Sequence, residues 1–242
     1  MNKLLTLVLM ACMPLTGFTT CIAIYVATNG HIYVAADTRR TFLLDDSDKN
    51  KFETICKIHN VGNTYFAVSG FDDAGLQNAA NTALTENIDI DKALKAFCTI
   101  MTARYQYRMQ QIQQYFPEKL QKFLTDGLGD VCFFGFINGQ AKIQEVQFKV
   151  RLNKNHLEIN YQVQQVAYLA VIGISKDIDN ANPDELPDKQ TMLGKPAVYV
   201  EKLVELEAKK RPLAVSEPID LLELKPDGAT WIKKSKDAVA IE

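Results

Sequence analysis

Cys21 heads the apolar run Cys21-Ile-Ala-Ile-Tyr-Val-Ala27 and follows a segment with the make-up of an export signal. If the chain is cut in front of it, one residue carries both a thiol and a free α-amine. Such an amine titrates at roughly 7.7–8.0, so near neutral pH it can take the proton of its own thiol. Nucleophile and general base then sit on a single residue. Without the cut, Cys21 is simply the first core residue of a strand. Sixteen residues on, Ile32-Tyr-Val-Ala-Ala-Asp37-Thr38-Arg39-Arg40 drives an apolar strand into charge, at Asp37 and Arg39.

The segment ahead of Cys21 reads as a leader. Residues 1–20 hold one lysine, the apolar run Leu4 to Met13 and then Pro14. A short basic region, an apolar stretch and a polar end are the pattern of a secretory signal. A membrane-spanning helix needs roughly 20 apolar residues, more than this run offers. The expectation is an exported protein, periplasmic or secreted. Thr19 and Thr20 are the alternative mature ends, and Leu9-Met10-Ala11-Cys12 resembles a lipoprotein box that would tether the chain through Cys12. Removing 1–20 leaves Cys21, Cys56, Cys98 and Cys132. Four cysteines in an exported chain permit disulfides in three connectivities, although the spacing forms no framework. Cys98 and Cys132 lie in apolar segments and read as buried thiols.

Composition narrows the function classes. The chain has 242 residues, 47% hydrophobic and 23% charged, with a net charge of −2 and no long run of either sign. This is a globular chain without the basic footprint of a nucleic-acid binder and without a basic membrane-surface helix. His31, His59 and His156 lie too far apart for a local zinc motif. Asp45-Asp46-Ser47-Asp48-Lys49-Asn50 looks calcium-like but lacks the glycine and closing glutamate of an EF-hand, and the acidic stretch 177–189 fails in the same way. No Gly-x-Gly-x-x-Gly, Walker loop or Gly-x-Ser-x-Gly elbow is present.

The elements that must position Cys21 are hairpins. Asn29-Gly30, Gly62-Asn63 and Asn138-Gly139 each separate two β-branched and aromatic runs, a strong hairpin signal. Antiparallel sheet follows, and a doubly wound parallel fold is disfavoured. Between the second and third hairpins, Ala74–Leu84 and Ile90–Tyr115 repeat apolar residues at three- and four-residue intervals, until Pro117 interrupts and Gly127-Leu128-Gly129 closes the region. Strands are expected at Val146–Leu152, His156–Val163 and Ala167–Ile174, then a loop over 177–189 and a helix over Ala197–Lys210 ending before Pro212. Ile219–Leu224 and Ala229–Lys233 close the chain as a hairpin. With no linker inside, 21–242 reads as one domain.

In this order of elements the sequence resembles the N-terminal nucleophile hydrolases of the proteasome β-subunit type. That family places an Ala-Ala-Asp-Ser/Thr-Arg element after its terminal nucleophile at the spacing seen from Cys21 to Asp37. The resemblance makes Asp37 the catalytic aspartate and Arg39 its neighbouring arginine. Cys56-Lys57-Ile58-His59 and Tyr65-Phe-Ala-Val-Ser-Gly70 resemble the family's second hairpin, so Lys57 matches the catalytic lysine, with Lys49 and Lys51 as alternatives, and Gly70 the oxyanion-binding backbone N–H. Alone, Lys57 would read as a solvent-facing strand residue. Phe133-Phe-Gly-Phe-Ile-Asn-Gly139, Val171-Ile172-Gly173 and Ser216 through Trp231 resemble later elements, so the likeness covers essentially all of 21–242.

Two departures stand out. The family nucleophile is usually threonine, and its Gly-Ser-Gly and accessory Asp/Ser positions are occupied here by Gly173-Ile174-Ser175 and by Pro212 to Val215. The resemblance implies an α+β fold of four layers, with helices outside two stacked antiparallel sheets. It implies an amide or peptide bond cleaved through a Cys21 acyl-enzyme, with Lys57 lowering the thiol pKa and no metal or organic cofactor. The substrate would be a peptide or a small amide, and a homo-oligomer is compatible with it. The rival readings are a small-molecule amidase or acylase, and a silent module that keeps the fold for binding or assembly.

Overall fold

The turns come first, because they set the register of everything else. In the computed structural model, which describes residues 20–41, 52–87, 89–154 and 156–235, Asn138 and Gly139 both have positive φ, 51° and 76°. That pair of dihedrals makes the tight turn whose twist matches two flanking antiparallel strands, and Asn-Gly is the sequence that tolerates it best. The turn joins β7 (Gly129–Ile137) to β8 (Gln140–Asn153). The other two predicted hairpins form as well: β1 (Cys21–Val26) with β2 (Ile32–Asp37), and β5 (Ile58–Val61) with β6 (Thr64–Gly70). Between them β3 (Arg39–Thr41) pairs with β4 (Phe52–Thr54).

Two five-stranded sheets result. With β9 (His156–Val166), β10 (Leu169–Gly173), β11 (Ile219–Lys225) and β12 (Gly228–Lys233), the orders are β10-β1-β2-β11-β12 and β5-β6-β7-β8-β9, every pairing antiparallel. Alternation along each strand sorts the side chains into layers. Ile22, Ile24, Ile32 and Val34 of the first sheet meet Ala67, Cys132, Phe134 and Ile143 of the second. The opposite face of the first sheet packs Ala23, Tyr25 and Ala35 under Val200, Leu203 and Val204. The opposite face of the second packs Phe66, Phe133, Val146 and Phe148 under Leu76, Phe97 and Met101. Helix, sheet, sheet, helix is the four-layer arrangement expected from the sequence.

The helices are α1 (Asp73–Glu86), α2 (Ile90–Tyr115) and α3 (Pro117–Asp126) over the second sheet, and α4 (Lys176–Asp179), α5 (Lys189–Gly194) and α6 (Pro196–Lys210) after β10. Asp89 caps α2, its carboxylate accepting from the N–H groups of Asp91 and Lys92. Pro117 opens α3 instead of ending the helical region, because the first helical position needs no N–H. Two expectations need correction. The strand expected at Val146–Leu152 is the second half of one 14-residue strand, β8, that starts at Gln140. The region 177–189 is not all loop, since α4 occupies its start. Nor does the sequence reading anticipate α5, whose N-cap Asp188 accepts from Thr191 N–H at 2.6 Å.

Candidate active site

Register brings the first two site residues together. Ile22 pairs with Ala36, so Cys21 and Asp37 face each other at the ends of neighbouring strands. The backbone N–H of Cys21 donates to Asp37 Oδ1 at 2.8 Å. Lys57, just ahead of β5 on the second sheet, reaches the same carboxylate, its Nζ 3.0 Å from both oxygens. Cys21 and Asp37 are fully buried and Lys57 very nearly so. The lysine is therefore a buried partner of Asp37, not the solvent-facing residue its isolated context suggests. Arg39 N–H donates to Asp37 Oδ2 at 3.3 Å, and Arg39 Nη1 to the Pro212 carbonyl at 2.5 Å, tying the β2 end to the segment after α6.

Gly70 ends β6 with φ 143° and approaches Gly129 so closely that a Cβ would stand 2.4 Å from the Gly129 Cα. Only glycine fits there. Phe71 N–H donates to the Leu128 carbonyl at 2.8 Å. Since hydrogen-bonded and non-hydrogen-bonded pairs alternate along an antiparallel ladder, the Gly70–Gly129 pair is of the second kind. The Gly70 N–H is thus directed away from β7.

The electrostatics differ from the sequence expectation. In the uncut chain the Cys21 thiol is pushed well above the ordinary cysteine range, not below it. Burial is the main cause, the charges of Asp37 and Glu207 add to it, and Lys57 opposes it. A single cation already engaged by a carboxylate does not overcome desolvation of a thiolate. Burial also pushes the Asp37 carboxyl up and the Lys57 ammonium down, each toward neutrality, while their mutual attraction and the Cys21 N–H oppose this. The other thiols are raised too: Cys98 to about 12 and Cys132 well above its usual range, both by burial. Among the described residues, Cys21, Cys56, Cys98 and Cys132 are free thiols, and Cys56 is the most exposed of them.

The sequence reading misses several groups beside this trio. Ile174 N–H donates to the Thr20 carbonyl at 2.7 Å, which fixes the peptide unit in front of Cys21. Glu207 on α6 is fully buried and accepts from the N–H groups of Asp177 and Ile178, at 2.8 and 2.9 Å. Its signal was legible, a lone glutamate on the stripe of Val200, Leu203 and Val204. Asp130 on β7 accepts from Gly173 N–H at 3.3 Å, and burial pushes its carboxyl up to about 7. A cleft of about 290 Å³ opens beside Gly173 and Ile174, lined also by Asp130, Lys122, Lys176 and Arg211. A second cavity, of about 10 Å³, is lined by Thr20, Lys57, His59 and Asp73. That is the size of one water.

Among the described residues no cluster of three or more His, Cys, Asp or Glu side chains could hold a metal ion, and no helix is long and apolar enough to cross a membrane. The alternative lysines Lys49 and Lys51, the calcium-like stretch Asp45–Asn50, Cys12 and Thr19 lie outside the described residues.

No protein-family model matches the chain, and no curated protein matches it by sequence. Comparison of folds does find similar structures. The structure of Anbu from Hyphomicrobium sp. strain MC1 superposes with a TM-score of 0.53 at 14% identity, covering 91% of this chain and 88% of that one. Anbu is a proteasome-like protein. An identity this low speaks to architecture alone, and two antiparallel five-stranded sheets flanked by helices agree with it. The chain has the four-layer fold of the proteasome-like N-terminal nucleophile hydrolases.

Proposed function

We propose that the protein is an exported hydrolase of amide or peptide bonds whose mature chain, 21–242, begins at Cys21 after loss of residues 1–20. The observation that carries this reading is the Cys21 N–H held 2.8 Å from Asp37 Oδ1, on a carboxylate that also binds Lys57 through both oxygens. After a cut before Cys21, that nitrogen becomes the α-amine, already anchored next to its own thiol. The amine takes the thiol proton, Sγ attacks the substrate carbonyl, and the oxyanion meets the Gly70 N–H. Donors of this kind contribute about 10²–10³ in rate in other enzymes. The amine returns the proton to the leaving nitrogen, and water then releases the acyl group from the thioester. Lys57 keeps positive potential beside the developing thiolate, and Arg39 helps to orient Asp37.

Removal of 1–20 also supports this reading by what it undoes. In the uncut chain the thiol is buried and protonated, so that form is silent. The cleft of about 290 Å³ opens beside Gly173, the strand partner of Cys21, and is the candidate entrance for a peptide or small amide. The test is hydrolysis of a panel of fluorogenic peptide and acyl amides by the purified product of the full chain. Turnover that disappears in Cys21→Ala and falls at least 100-fold in Lys57→Ala is expected. Turnover that survives Cys21→Ala, or its absence from a product shown to begin at Cys21, overturns the proposal. The second outcome favours the binding-module reading.

A further inference from the structure

Ser69, one residue before Gly70 on β6, is fully buried, and its hydroxyl has no hydrogen-bond partner. Buried hydroxyls in folded proteins are almost always paired, so an orphan at this place calls for a reason. Its position supplies one. A Cβ built on Gly173 would stand 2.5 Å from Ser69 Oγ and 2.1 Å from the Thr20 carbonyl oxygen. Gly173 is the strand partner of Cys21. The serine hydroxyl and the carbonyl in front of Cys21 therefore share one small space over Gly173, which is kept open by the missing side chain.

Cutting the Thr20–Cys21 bond empties that space on one side. The bond that led from the Cys21 nitrogen to Thr20 becomes an N–H directed into it. A neutral amine has two hydrogens and one lone pair. The hydrogen already on Asp37 Oδ1 keeps its acceptor, and the second faces the space shared with Ser69 Oγ. We infer that Ser69 is the second anchor of the Cys21 amine in the processed chain, a positioning residue that leaves the lone pair turned toward the thiol. This rests on Cys21 becoming the N-terminus. The charged groups facing this point are Asp37 on β2, Lys57 ahead of β5, Asp130 on β7, Glu207 on α6 and Asp179 on α4.

The full chain is expressed with its leader, and the N-terminus of the purified product is read by mass spectrometry. The amine nitrogen of Cys21 is then titrated by NMR in protein made with isotope-labelled cysteine. A hydroxyl acceptor favours the ammonium form, so Ser69→Ala should lower the titration midpoint by about 0.5–1 pH unit. Ser69→Cys, close in shape but a weak acceptor, should shift it in the same direction, and Ser69→Thr should restore it. Thermal unfolding checks that the variants keep the fold. A midpoint unmoved in both Ser69→Ala and Ser69→Cys, or not restored by Ser69→Thr, overturns the role of Ser69 alone. A product that does not begin at Cys21 overturns the nucleophile assignment and this inference together.

Discussion

Two buried regions of this molecule are built on opposite principles. Over the second sheet, Phe66, Phe97, Phe133, Phe148 and Tyr105 interlock, with ring centroids 5.2–6.2 Å apart in tilted and edge-on pairs. Even the one phenol there is satisfied, since Tyr105 Oη donates to the Phe71 and Leu128 carbonyls. At the end of the first sheet, Cys21, Asp37, Lys57 and Ser69 are buried just as deeply, but they include an ion pair and an orphan hydroxyl. The first region is what a core needs. The second is a polar cluster whose buried charges and orphan hydroxyl carry a desolvation cost that the aromatic core does not.

The largest expected effects separate these regions directly. Phe133→Ala should destabilise by about 3–5 kcal/mol through the cavity it leaves. Lys57→Ala should cost a similar amount, about 3–5 kcal/mol, because it strands the Asp37 carboxylate in the interior. The two differ in what repairs them. Joint replacement of the pair by Asp37→Leu and Lys57→Met should return stability to within about 1–2 kcal/mol of the native chain, with no hydrolysis. Denaturant titration of the single and double variants reads this. A double variant less stable than Lys57→Ala would show the pair to be structural after all.

A smaller effect concerns Asp130 at the rim of the polar region. Its carboxyl titrates at about 7 in the folded chain against an ordinary 3.8. A raised carboxyl contributes nothing unfavourable below the ordinary value. As pH rises from about 4 to 7 the unfolded chain ionises first, and stability falls until the folded carboxyl ionises as well. Because this side chain is partly solvated, the loss should be about 2 kcal/mol, roughly half the full conversion of the shift. Asp130→Asn should flatten that part of the stability–pH curve. An unchanged slope between pH 4 and 7 would remove Asp130 from the account.

The smallest effect returns to the aromatic region. Tyr105→Phe leaves two buried carbonyls with one acceptor bond fewer and should cost about 1 kcal/mol. Ser69→Ala removes a hydroxyl that has no partner in the uncut chain, so it should be neutral or slightly stabilising there. Thermal unfolding of both variants tests whether the polar cluster is under-satisfied as the structure indicates.

How much of this was legible in the sequence depends on range. The hairpins at Asn29-Gly30, Gly62-Asn63 and Asn138-Gly139 were, because each turn is encoded by two adjacent residues. The Cys21–Asp37 juxtaposition was, because one hairpin with a fixed register sets it. Lys57 crosses from the other sheet, so its place came from resemblance and not from its own surroundings. Ser69 and Asp130 are not legible, and Gly173 and Ile174 are placed only by resemblance. They matter only where the ends of the two sheets meet, and a serine or glycine in a strand gives no local sign of that. The start of β8 is not legible beyond its turn at Asn138-Gly139, and α5 is not, because six residues are too few for a helical period.

In the proposed function Cys21 turns from a buried thiol into a nucleophile when residues 1–20 leave. Peptide mapping after brief iodoacetamide treatment, on the uncut chain and on the product that begins at Cys21, tests it most directly. In the uncut chain Cys56 should label first, with Cys21 as slow as Cys98 and Cys132. In the product Cys21 should label ahead of all three, since its amine is then free to take the thiol proton. A product that begins at Cys21 and still labels there no faster than at Cys98 or Cys132 would contradict the account.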